Sequence, residues 1–224
     1  MKCTPLRSTP AAMIMAAMAL CCVACADEAA LTALGGAVAP VDEHPAISMD
    51  RCTVNADLYP DHAPVRCEFV LRNQGGATSV LMGFPASGAY GDAQQIGFSP
   101  RVEDLRMWVD GAEVSTTLRP GYMPNTYLPQ TSWYTRRVPF AAGQSRVVRV
   151  HYSQPIALDR GGGRYFQYAV TTGNSWRGPI GAVQVTLRWA PEWNWTARAT
   201  TTGPWRFRLS DDGRRASCQA RNVQ

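Results

Sequence analysis

Ala182-Val183-Gln184-Val185-Thr186-Leu187-Arg188-Trp189 is the stretch that decides the fold. Val183, Val185, Leu187 and Trp189 fall on one side of an extended chain, and Ala182, Gln184, Thr186 and Arg188 on the other. Successive side chains of a strand point to opposite faces. A period of two with one apolar side therefore marks a strand that covers a core with one face and meets water with the other. Arg146–Tyr152 repeats the pattern, with Val148, Val150 and Tyr152 against Val147, Arg149 and His151. Trp205, Phe207 and Leu209 alternate with Arg206 and Arg208.

Further out, Ser48–Tyr59 and Val65–Arg72 are β-rich runs joined by Pro60-Asp61-His62-Ala63-Pro64, and Ser79–Phe84 follows. Asp104–Val109 and Ala112–Leu118 are linked by Asp110-Gly111, a dipeptide suited to the positive φ angles of a tight hairpin. Tyr165–Thr171 reads as a strand entering a glycine-rich loop, Thr172–Gly181, around Trp176. No convincing helical period breaks this series. The expected fold is all-β: an antiparallel β-sandwich, immunoglobulin-like in architecture, of roughly eight to ten strands. Alternation is still running at Arg221-Asn222-Val223-Gln224, so either the last strand closes the sheet or the chain continues.

The start of the chain reads as an export leader. Lys2 and Arg7 form a positive start, and Ala11–Leu20 (AAMIMAAMAL) is an uncharged apolar run too short to span a bilayer. Ala24-Cys25-Ala26 then places small residues where a signal peptidase reads. Cleavage after Ala26 leaves a soluble product beginning at Asp27. Lipidation of Cys25 leaves a lipid-anchored one, although Cys22 stands where such signals usually carry leucine. Both readings expect an extracytoplasmic protein, periplasmic or secreted, with residues 1–26 as signal peptide, 27–46 as a flexible lead-in and 47–224 as one domain.

Without the leader the chain keeps 20 arginines, 17 acidic residues and no lysine. So small a surplus does not point to nucleic acid, and any membrane contact is expected only through a lipid anchor at Cys25. The missing lysine removes Schiff-base and Ser/Lys mechanisms. Cys52, Cys67 and Cys218 lie beyond the leader. Cys52 and Cys67 flank the Pro60–Pro64 turn, and an oxidising compartment favours a disulfide between them. Such a bridge closes a loop of about 15 residues and stabilises the fold by about 3 kcal/mol. Cys218 reads as a buried thiol.

His44, His62 and His151 are far apart, without partners at ligand spacing, so neither a catalytic set nor a metal site is expected. Asp211-Asp212-Gly213 reads as a turn, and Arg160-Gly161-Gly162-Gly163-Arg164 as a hairpin connection rather than a phosphate loop, because no helix follows it. Trp189 and Trp205 fall on apolar strand faces. Trp133 and Trp176 lie at loop–strand junctions, where a ring either packs the end of a sandwich or stacks on a ligand.

One ordered set of residues carries a resemblance. It runs Val65-Arg66-Cys67-Glu68-Phe69 with Asn73, Val80-Leu81-Met82-Gly83-Phe84-Pro85, and Tyr90-Gly91-Asp92. It continues through Trp133, Pro139-Phe140 with Gly143, Val148–Tyr152, and Thr172-Gly173 with Trp176, Gly178, Ile180 and Gly181. The set resembles a family of secreted bacterial proteins of unknown function, some of which resemble proteins carrying copper amine oxidase-like stalk domains. The resemblance implies an extracytoplasmic all-β domain and transfers no activity, cofactor or catalytic residue. Ala220-Arg221-Asn222 resembles the start of the family's closing strand, but the acidic proline motif that follows there is missing.

Three functions are consistent with these readings. The first is a non-catalytic binding module for an envelope protein or glycan, needing no cofactor and using Tyr90, Asp92, Trp133 and Trp176. The second is a stalk-like envelope domain without a ligand. The third is a hydrolase built on carboxylates such as Asp92 and Glu103, although nothing fixes a second carboxylate beside the first.

Overall fold

The computed structural model describes residues 39–40, 46–86, 89–90, 97–98, 102–120, 132–158, 164–168, 170, 176–193, 199, 201 and 205–223. The expected export leader with Cys25, the Arg160–Gly163 run and Asp92 lie outside these residues. Among the described residues the chain forms strands and no helix. The first half supplies β1 (Ala39–Pro40), β2 (Ile47–Leu58), β3 (His62–Asn73), β4 (Thr78–Pro85), β5 (Ala89–Tyr90), β6 (Gly97–Phe98), β7 (Glu103–Val109) and β8 (Ala112–Val114). The second supplies β9 (Thr117–Pro120), β10 (Ser132–Phe140), β11 (Ser145–Pro155), β12 (Ala157–Leu158), β13 (Arg164–Tyr165), β14 (Ile180–Trp189), β15 (Arg208–Leu209) and β16 (Arg215–Val223).

Two sheets carry the fold. The larger has the order β15-β16-β14-β2-β3-β11-β7-β8, and the smaller β1-β4-β10-β9. Alternation places the residues as expected: Val148, Val150 and Tyr152 of β11 and Val183, Val185, Leu187 and Trp189 of β14 are buried, while Arg149 and Arg188 are exposed. Val80, Met82, Phe84, Val138 and Phe140 of the small sheet join the same buried cluster. The rings of Phe84 and Tyr152 meet across the layers, with centroids 5.0 Å apart. The hydrophobic effect thus holds two sheets face to face over one core.

The structure corrects several expectations. β14 runs parallel to β2, with Val183 opposite Cys52 and Trp189 opposite Leu58, so the sheet is mixed rather than wholly antiparallel. Strand alternation is the same in both directions, so it carries no information about the sense of pairing. Of the expected strand Tyr165–Thr171, the described residues are in a strand only at Arg164–Tyr165, and of Trp205–Leu209 only Arg208–Leu209 pairs, with Leu209 58% exposed. The turn before β3 is tighter than expected, closed by Tyr59 N–H donating to His62 O at 2.9 Å, and Pro64 lies inside the strand. Ala39 and Pro40, within the expected lead-in, pair with Gly83 and Met82.

The Asp110-Gly111 hairpin forms as its chemistry requires. Both residues take positive φ, 51° and 85°, and Val109 faces Ala112. The Asp110 carboxylate also accepts from Val147 N–H at 2.8 Å and from Arg146 at 2.7 Å. The expected run Ala112–Leu118 then divides. β8 stays on the large sheet, whereas β9 crosses to the small one, bringing Leu118 opposite Tyr134. This crossover builds one flank of the site described below.

Candidate functional site

The outer face of the small sheet follows from what its inner face buries. On β10, Val138 and Phe140 enter the core, so Trp133, Thr135, Arg137 and Pro139 share the opposite side. On β4, Val80, Met82 and Phe84 are buried, leaving Ser79 and Leu81 outward. Thr117 and Arg119 of β9 lie opposite Thr135 and Trp133. Ser79, Leu81, Ser115, Thr117, Arg119, Thr135, Arg136, Arg137 and Pro139 line an open concavity of about 470 Å³. That size suits a small ligand.

Three of these residues are arginines and none is acidic. No acidic residue occurs anywhere in β4, β9 or β10. Arg137 Nη1 donates to the Ser79 carbonyl at 3.2 Å, on the β4 side of β10. Arg136 Nη1 donates to Ser115 O and Oγ, both at 3.3 Å, on the β9 side. By the same alternation Arg136 lies on the face of Val138, so Arg119 and Arg137 are the two arginines of the outer face. Arg119 has no ion pair among the described residues. Thr135 Oγ1 donates to Thr117 O at 3.0 Å and ties the floor of the groove to the edge strand. Uncompensated cations in a concave surface attract anions and orient them before contact.

Several arginines of the large sheet are matched by carboxylates. On the outer face of the large sheet Glu68 accepts from Arg51 and Arg149, at 3.1 and 3.0 Å, and Arg106 pairs with Glu113 at 2.6 Å. Asp57 bridges Arg66 and Arg188. The Arg149 hydrogen bond, more than opposing burial, holds the Glu68 carboxyl below its ordinary range. His151 sits among Arg66, Arg106 and Arg149, its ring 4.6 Å from that of Trp108. Burial first, and then those three cations, lower its pKa.

Of the residues expected at a site, Trp133 and Trp176 lie in different surroundings. Trp133 is half-buried on the outer face beside the groove, across from Arg119. Trp176 is only 4% exposed and belongs to the core, which fits the packing reading of its ring rather than the ligand contact. Tyr90 lies in β5, paired with Gly97 of β6, and its side chain lies outside the described residues. Glu103 is exposed at the start of β7.

Cys52 and Cys67 are separate buried thiols, a correction to the expected bridge. Cys52 faces Phe69 and Cys67 faces Val54, so the two are diagonal rather than directly opposite. Diagonal neighbours stand about 7–8 Å apart, beyond the usual span of a disulfide. Burial pushes the Cys67 thiol up to about 12, against the opposing contact of Tyr168 Oη at 3.5 Å, and pushes Cys52 higher still. Cys218 is buried on the same sheet, opposite Val185. The Asp211–Gly213 segment is a turn, as expected: Gly213 has φ 65°, and Asp212 accepts from Arg214 N–H at 3.0 Å.

The groove arginines had no signature in the sequence. β10 itself escapes a period-two reading because the Arg136-Arg137 doublet and Pro139 interrupt its alternation. That doublet was the one available hint.

No family model and no curated protein matches the chain. Among solved structures, a protein of Legionella pneumophila named provisionally as a nutrient-binding protein aligns at 20% identity with a TM-score of 0.63, over 86% of this chain and 68% of its own. An M1 zinc metallopeptidase of Deinococcus radiodurans aligns at 12% identity and TM-score 0.40, over 80% of this chain and 40% of its own. Leukotriene A4 hydrolase of Saccharomyces cerevisiae aligns at 7% and 0.41, over 81% and 28%. At those scores the two enzymes say nothing about the chemistry of this chain. The Legionella structure is similar in fold, which is all-β with two main sheets.

Proposed function

We propose that the chain is an extracytoplasmic, non-catalytic binding module that takes an elongated anionic ligand in the groove on the small sheet. The observation that carries this reading is the lining itself, three arginines without a carboxylate. Because Arg119 lies across from Trp133 and Arg137 lies four residues further along the same face of β10, a compact anion reaches only one of them, whereas a ligand with two separated charges reaches both. Serine, threonine, arginine, leucine and proline supply no group that moves a proton near neutral pH, so the lining binds rather than reacts. The Legionella protein's name also speaks of binding, and the leader-like start supports a module outside the cytoplasm, with its N-terminus at Asp27 or at lipidated Cys25.

Calorimetric titration with linear dicarboxylates of increasing length tests this. Affinity is expected to peak at an intermediate length. Arg119→Ala and Arg137→Ala should each weaken binding about tenfold without changing the melt. A groove indifferent to every anion would leave the ligand-free stalk as the better account.

A further inference from the structure

Trp133 stands beside the groove, and Arg137 lies four residues further along the same face of β10. At the rise of a strand this separation is about 13 Å. Across from Trp133 lies Arg119, on the edge strand β9. Between them the lining is rich in hydroxyls, from Ser79, Ser115 and Thr117, with Leu81 and Pro139 as its two apolar side chains. A half-buried indole, hydroxyl partners and well-separated cations form a run longer than any single compact anion.

We infer that the groove takes a short acidic oligosaccharide, with a sugar ring stacked on Trp133 and carboxylates on successive sugars meeting Arg119 and Arg137. This rests on the groove being the binding site proposed above and adds the class of its ligand. The chemistry selects sugars for three reasons. Indole faces stack on the C–H face of a pyranose ring, and that contact adds to simple area burial. Sugar hydroxyls both donate and accept, which matches serine and threonine. Guanidinium meets a carboxylate bidentately, so charge and planarity are read together.

An acidic peptide is the competing ligand, because β9 is an edge strand to which an extended chain can add. Two features weigh against it. Peptide recognition draws on apolar pockets for side-chain anchors, which this lining does not offer. β9 is also only four residues long and ends in Pro120, which donates no backbone hydrogen bond.

The test uses the exported chain and three probes: a galacturonic acid trimer, the uncharged galactose trimer and a glutamate trimer. Calorimetry should show the galacturonate trimer binding at least about tenfold more tightly than either of the others. Trp133→Ala should weaken the galacturonate trimer about tenfold, with Trp133→Phe recovering most of the loss and the melting temperature of both variants unchanged. Arg137→Ala should abolish the preference over galactose. If the glutamate trimer binds as tightly and Trp133→Ala has no effect, the sugar assignment fails while the anion-binding groove survives. If no probe binds, and linear dicarboxylates do not either, both fail.

Discussion

The carbonyl oxygen of Asp50 lies 2.6 Å from where a β-carbon on residue 181 would stand, and residue 181 is glycine. Asp50 is the extra residue of a bulge in β2, where the register with β3 shifts between Met49 and Arg51. The bulge pushes the backbone towards the start of β14, just where the parallel pair begins. A methyl group there meets backbone rather than the end of a flexible side chain, so something structural must move. Gly181→Ala should cost about 1–3 kcal/mol in urea unfolding. Gly76→Ala, with nothing within 4 Å of its added carbon, should stay within about 0.5 kcal/mol. Equal stability of the two variants would show that the close approach is not needed.

Trp176 and Trp133 should separate cleanly. Trp176 is a core residue, and the backbone beside it is pinned by Arg177 N–H donating to Ile47 O at 2.7 Å. Truncating it to alanine should lose about 3–5 kcal/mol. Trp133→Ala, on the outer face, should lose less than about 1 kcal/mol. A thermal melt of each beside the parent decides; a shift of a degree or so for Trp176→Ala would return that ring to the list of ligand contacts.

Cys52 and Cys67 should resist alkylation in the folded protein. Burial raises both thiols far above neutral pH, so the reactive thiolate is scarce and sheltered. Iodoacetamide at about pH 8 should label them only after unfolding, as read by peptide mass spectrometry. Recovery of a Cys52–Cys67 linked peptide from the native protein would restore the bridge that the register disfavours.

His151 should make stability depend on pH in the mildly acidic range. Its ordinary pKa is 6.5, and in the fold burial and the arginines 66, 106 and 149 lower it. Below about 6.5 the unfolded chain takes up a proton that the folded ring refuses. Stability therefore falls as pH drops through that range, and this contribution stops changing below the folded value. His151→Gln should lose less stability than the parent between about pH 7.5 and pH 5.5 in urea unfolding. Identical losses would mean that the ring titrates normally.

The sequence by itself determined what is local. Period-two alternation named the buried faces of β11 and β14, and Asp110-Gly111 named its hairpin, because strand pleat and turn dihedrals are properties of a few adjacent residues. That the chain is all-β followed from the same signals. Trp205–Leu209 shows where they mislead: alternation is necessary for a half-buried strand but does not supply the neighbour that buries it, and Leu209 remains in water.

Tertiary structure alone decided the rest. The parallel pairing of β14 with β2, the crossing of β9 to the small sheet and the diagonal offset of Cys52 and Cys67 all depend on contacts between residues distant in the chain. The groove is a further case. Arg119 and Arg137 come to share one surface only because β9 leaves one sheet for the other and pairs with β10. Charge is written in the sequence residue by residue, but a field is made by distances between side chains, and those distances exist only once the sheets have paired.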